Sequence, residues 1–149
     1  MINDNLKLRG DVAIVLKDKN GNVKESRDIN NLVVTAGLTF ICSRMASASA
    51  GVMSHMALGS STAAAAAGQT DVQSILGSRE ALDSSTASAN TIVYTSSFEA
   101  SEGTGAVTEA GIFNAATSGT MLCRVVFPVV NKQADDTMSV TWTITLTAS

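Results

Sequence analysis

The stretch Thr137-Met138-Ser139-Val140-Thr141-Trp142-Thr143-Ile144-Thr145-Leu146-Thr147 limits what this chain can fold into more than any other. Every even position is apolar and every odd one is Ser or Thr. Side chains alternate across a strand, so one face is wholly apolar and the other bears only small hydroxyls. No charge interrupts the run, which is longer than a typical strand and holds the sole Trp. It predicts the spine of a β core. An ordinary solvent face would carry Lys and Glu. The hydroxyl face is therefore a candidate for cover by another strand, the N-terminal hairpin or a neighbouring subunit.

Other segments follow the same two-residue period. Leu6, Leu8, Val12, Ile14 and Leu16 alternate with Lys7, Arg9, Asp11 and Lys17, with Gly10 marking a bulge or a close approach. Asp18-Lys19-Asn20-Gly21 predicts a hairpin turn, and the return strand runs from Asn22 to about Val34. Thr35 reads as a helix N-cap, with Leu38, Ile41, Cys42 and Met45 at helical spacing, so one short helix is expected near residues 35–46. Met53 to Gly59 reads as a buried strand, and Ser60 to Thr70 as a loop, since five alanines fall short of a stable helical nucleus. Further strands are expected at Arg79–Ser85, Thr91–Ala100, Ala106–Asn114 and Met121–Phe127. The last is nearly continuous in apolar character, as for a strand buried on both faces, and Pro128 is expected to end its pairing. Val129 to Asp136 reads as a connection.

The fold class expected is all-β: an antiparallel β-sandwich, jelly-roll-like, with that single helix. The 149 residues form one domain (1–149), with hairpin 1–34 a candidate to project and 60–71 a flexible loop. Charged residues make up 15%, and a net charge of −3 gives no electrostatic case for nucleic acid or a membrane surface. The run Ala63 to Ala67 is too short to span a bilayer, and Met1-Ile2-Asn3-Asp4-Asn5 lacks the basic start of a signal peptide. Cys42 and Cys123 lie far apart in sequence; as two lone thiols in apolar surroundings they read as buried small hydrophobes made in a reducing cytoplasm, with a disulfide between them as the alternative.

The search for chemistry finds little. His55 is the sole histidine and has no nucleophile and orienting carboxylate in a neighbouring pattern. With no second His and no paired Cys, zinc lacks ligands. Glu99, Glu102 and Glu109 bracket a Gly-rich turn and could pair as acid and base, but aromatic residues, at 4%, are too few to hold a sugar, so the three read as solvated. Asp135-Asp136 reads as a turn pair with too few oxygen donors for calcium. Gly103-Thr104-Gly105 lacks the Gly-Lys-Ser/Thr of a phosphate loop. Lys7, Arg9, Lys17, Lys19, Lys24 and Arg27 are interleaved with Asp11, Asp18, Glu25 and Asp28, as on a solvated face. No catalytic, cofactor-binding or metal residue is assigned, and the chain is expected to be a binding or assembly protein rather than an enzyme.

Thr108-Glu109-Ala110-Gly111-Ile112-Phe113-Asn114-Ala115, the run Gly119 to Lys132 and Asp136-Thr137-Met138-Ser139-Val140-Thr141-Trp142 together resemble small structural proteins of tailed bacteriophages. Asn31 to Gly37 and Met53 to Gly59 fit the same pattern. Members of that group are described as head decoration (cement) proteins or as tail-fibre-like proteins. The resemblance implies a virion component without a catalytic motif. A compact domain without repeats or stalk fits a cement protein better than a fibre. The expected partner is the major capsid protein on the outer head surface, with self-association as a dimer first and a trimer second; no coat-contacting residue is assigned. A tail, baseplate or fibre-associated adaptor is the alternative, and a glycan-binding or hydrolytic module the third reading.

Overall fold

The computed structural model of the chain describes residues 5–46 and 50–148. Ten strands and one helix follow in order. They are β1 (Leu6–Lys17), β2 (Val23–Asn30), β3 (Leu32–Val33), α1 (Thr35–Ala46), β4 (His55–Gly59), β5 (Glu80–Ala81), β6 (Ser84–Ser88), β7 (Thr91–Phe98), β8 (Gly105–Phe113), β9 (Met121–Lys132) and β10 (Thr137–Ala148). They form two antiparallel five-stranded sheets, ordered β2-β1-β10-β7-β6 and β3-β9-β8-β4-β5. The pairs β1·β10, β3·β9, β4·β8 and β6·β7 nest inside one another, so the chain runs out and returns along itself, as in a jelly roll. The molecule is an all-β sandwich with one short helix.

β10 is the spine its alternation predicts. It pairs with β1 over twelve residues on one side and with β7 over eight on the other. Met138, Val140, Trp142 and Ile144 are each at most 3% exposed. They meet Met56, Leu58, Ala110, Ile112, Cys123 and Val125 of the second sheet in one core. Hairpin 1–34 does not project: in its described part β1 is flanked by β10 and β2, because both neighbours bond its backbone. Its turn is closed by the Asp18 carboxylate, which accepts the Asn20 and Asn22 amides, and by Gly21 at φ 84°.

Gly10 causes no bulge on the β10 side. The side chain of Asn31 occupies the space where a Cβ would stand. Asn31 is where the return strand breaks, its amide bonding Gly10 carbonyl, so the expected single strand from Asn22 to Val34 becomes β2 in one sheet and β3 in the other. The strand expected over Arg79–Ser85 divides in the same way into β5 and β6.

Further expectations are corrected. Pro128 does not end β9, which continues to Lys132. Val107 faces Val130 while Glu109 faces Val126, so β9 bulges opposite Thr108, and a residue in a bulge need not donate to the ladder. Thr35 is not the N-cap: Val34 carbonyl accepts the Leu38 amide, and the Thr35 N–H donates to Ala67 carbonyl instead. The packed face of α1 is Ala36, Gly37, Phe40 and Ile41 rather than Leu38, Ile41, Cys42 and Met45. A Cβ on Gly37 would overlap the Leu122 carbonyl, so the helix backbone rests directly on β9 there. That contact turns Leu38 and Met45 outward, 48% and 77% exposed. Cys42 is therefore exposed, not buried; Cys123 is buried, and both thiols are free.

The outer face of the second sheet is covered as well. Segment 60–79 lies over β8 and β9, making a small second core of Val34, Ala57, Val72, Phe113 and Met121. That cover is why β9 is buried on both faces from Met121 to Val125.

Candidate functional site

Glu109 and Arg124 stand on the covered outer face of the second sheet, and both side chains are fully buried. Glu109 Oε2 lies 2.8 Å from Arg124 Nε and 2.8 Å from Nη2. The carboxylate also accepts the amides of Ser61, Gln73 and Ser74. Arg124 Nη1 donates to Ala63 carbonyl and Gln69 Oε1, both at 3.0 Å. One ion pair thus collects both halves of the segment expected to be a flexible loop (60–71) and ties it to the sheet. Gly59 allows this approach, since a Cβ there would overlap Glu109 Oε1. Arg79 fastens the end of the segment. Its guanidinium stacks 3.5 Å over the Phe113 ring and bonds the Ala115 and Ser118 carbonyls and Asp71.

Glu109 is therefore a sealed anchor, not a solvated carboxylate. Glu99 and Glu102 remain at the β7–β8 turn, where Glu102 Oε2 accepts the Glu99 amide at 2.8 Å. The three carboxylates do not converge. A signal for the pair was present in the sequence: each is the lone charge in an otherwise apolar part of its strand, and charges are buried only when paired.

Asp135 is exposed, whereas Asp136 is buried. Asp136 Oδ2 accepts Lys24 Nζ at 2.7 Å and the Gln133 amide at 2.8 Å. The Lys24 bond holds its carboxyl below the ordinary aspartate value. Lys132, 1% exposed, donates to Glu99 carbonyl at 2.8 Å, and burial lowers its pKa. Sealed in this way, its amine cannot reach a substrate. His55 Nδ1 meets Ser54 Oγ, its neighbour in sequence, at 2.8 Å. Burial raises the Cys123 thiol well above its ordinary pKa, so it stays protonated and unreactive. Among the described residues, no group of three or more His, Cys, Asp or Glu is placed to hold a metal ion.

Two surfaces remain that are shaped for contact. The first is an apolar cleft of about 360 Å³ at one end of the sandwich, roofed by α1 and floored by both sheets. Phe40, Ile41, Tyr94, Leu122 and Leu146 line it, and Arg44 is its only charged lining residue. Met45 and Val52, 77% and 61% exposed, extend the apolar surface to its rim. The second is the outer face of the first sheet. Its β1 part carries Lys7, Arg9, Asp11 and Lys17, and its β2 part Lys24 and Asp28. Across β10, β7 and β6 the outward residues are only Ser, Thr and Val: Ser139, Thr141, Thr143, Thr91, Val93, Thr95, Ser84 and Thr86 belong to it. Among the described residues neither the hairpin nor another strand covers this half, and Thr141 is exposed on β10, where it borders the charged β1 part.

The fold is an all-β sandwich with an apolar cleft at one end and an uncharged half-face on its first sheet. Comparisons with family models, with curated proteins and with solved structures find no match to this chain.

Proposed function

We propose that this chain is a decoration protein of a tailed-bacteriophage head, which binds the outer surface of the major capsid protein shell and stabilises it. The observation that carries the reading is the uncharged half-face of the first sheet across β10, β7 and β6, with Thr141 exposed on its β10 margin beside β1. Such a face hydrates weakly and approaches another protein closely through hydroxyls and small apolar groups, which suits partly wet contact with a coat subunit. The apolar cleft beneath α1 adds a recess for one apolar anchor. The resemblance of Thr108–Ala115, Gly119–Lys132 and Asp136–Trp142 to phage structural proteins supports the same reading. Its residues Glu109, Arg124, Lys132 and Trp142 are buried framework here, so the likeness speaks for the body of the protein and leaves the contact surface free to vary.

The role needs many copies, each joining neighbouring capsomers, and self-association raises the effective affinity of each. The test is co-sedimentation of purified protein with mature capsids prepared without it, followed by heating or dilution into low salt. Saturable binding and delayed loss of packaged DNA are expected. Absence of binding together with unchanged capsid stability contradicts the proposal.

A further inference from the structure

We propose that β6 is the self-association edge of this protein, pairing antiparallel with β6 of a second copy across a two-fold axis. The first sheet ends in two edges, and they differ. β2 carries Lys24, Glu25, Arg27 and Asp28, with a register shift at Leu16/Lys17, and charge and irregularity of this kind keep an edge from pairing. β6, Ser84-Ser85-Thr86-Ala87-Ser88, is exposed along its whole length and has no charge, no proline and no left-handed residue. The other described edges, β3 and β5, have two residues each.

The hairpin phase fixes which groups are free. Ser88 and Thr91 face each other across the two-residue loop Ala89-Asn90, with Ala89 at φ 51°. A two-residue loop makes its closing pair the hydrogen-bonded one, so Ser84, Thr86 and Ser88 bond to β7. The amides and carbonyls of Ser85 and Ala87 then point away from the sheet. A two-fold axis at Thr86 brings Ser85 opposite the second copy's Ala87 and closes four backbone hydrogen bonds.

An isologous contact sets a strand against itself, so any charge on the axis would meet its own copy. β6 has none. The nearest, Asp83, falls opposite the second copy's Ala89, about 20 Å from its own counterpart at 3.3 Å per residue. The two uncharged half-faces become one continuous surface. Five residues a side bury far less than the roughly 1,200 Å² of a stable interface, so the pairing is weak in dilute solution and gains strength where copies are concentrated on a surface.

The inference deepens the self-association in the reading above and rests on it for its biological role, but its test needs no capsid. In a Cys42→Ser background, Thr86→Cys places two thiols at a non-hydrogen-bonded pair on the axis, a spacing that a disulfide spans. Under mild oxidation, Thr86→Cys is expected to give covalent dimer at least tenfold faster than Ser26→Cys, an exposed position on β2. Adding Ala87→Pro, which removes an outward amide, should return the rate to that of Ser26→Cys with the circular dichroism spectrum unchanged. If Ala87→Pro unfolds the protein, Thr86→Lys serves instead, lowering the sedimentation-derived dimer fraction of the otherwise native chain. Equal rates for Thr86→Cys and Ser26→Cys, or a rate insensitive to Ala87→Pro in a folded protein, overturns the inference. Cross-linking that persists in a protein unable to bind capsids contradicts the decoration reading alone.

Discussion

Glu109 is fully buried, accepts three backbone amides and Arg124 Nε, and lies 2.8 Å from Nη2, so its removal leaves several buried donors unpartnered and a buried cation without its counter-ion. Breaking a buried pair from one side costs about 3–5 kcal/mol. Glu109→Ala is expected to lose that much in urea unfolding, with faster hydrogen exchange at the Ser61, Gln73 and Ser74 amides. Adding Arg124→Met should recover only part of the loss. It removes the stranded cation but leaves those amides without an acceptor. Asp136 gives a prediction in pH. Its native pKa is lowered, so the stability it contributes is complete above the unfolded value of about 3.9 and disappears as pH falls through the native value. Asp136→Asn should therefore be less stable than the native chain at pH 7, and in a series of thermal melts the two should converge as pH falls below the unfolded value and through the lowered native one. At this scale the sequence was least legible. Glu109 is fifteen positions from Arg124 and up to 48 from its loop partners. Periodicity reports which face a residue takes and says nothing of what is folded over that face.

Strands were legible where local pattern and tertiary environment agree. β10 alternates because one face meets the core and the other carries only small hydroxyls, and β9 reads as continuous because segment 60–79 covers its second face. Boundaries failed where a neighbour overrode the local signal. Asn31, drawn under Gly10, breaks the return strand; Gly37 on Leu122 rotates the helix by one position. Pro128 is tolerated inside β9 because a bulge and an open edge ask no donor of it. Pro128→Ala is accordingly expected to change the unfolding free energy by less than about 1 kcal/mol. For β10 the element-scale prediction concerns its hydroxyl face. Thr141 is exposed, so Thr141→Lys should leave the urea midpoint within about 0.5 kcal/mol of native stability. The same change sets a hydrated charge on the β10 margin of the uncharged half-face, and capsid binding in the co-sedimentation assay is expected to fall at least tenfold. Native binding by a folded Thr141→Lys protein would remove that face from the contact.

The whole molecule is a sandwich that uses its charges in two ways. Glu109–Arg124 ties segment 60–79 to the sheet from inside, Arg79–Asp71 fastens the end of that segment, and Lys24–Asp136 joins β2 to the turn before β10. Outside, charge is gathered on β1 and β2 and left off β10, β7 and β6. A freely tumbling solvent-facing protein has no need of that division; a protein meeting other subunits through one side does. The β-sandwich class was readable from strand spacing and turn residues, but the division into a charged and an uncharged half-face depends on strand order, which no local pattern encodes. The reading as a head decoration protein therefore depends on where the uncharged side is placed in the assembled particle. A virion reconstruction tests it most directly. The account predicts density for this sandwich on the outer head surface in many symmetry-related copies, with β10, β7 and β6 turned toward neighbouring protein. Density confined to the tail, baseplate or fibres, or a head-bound sandwich with that face open to solvent, would contradict it.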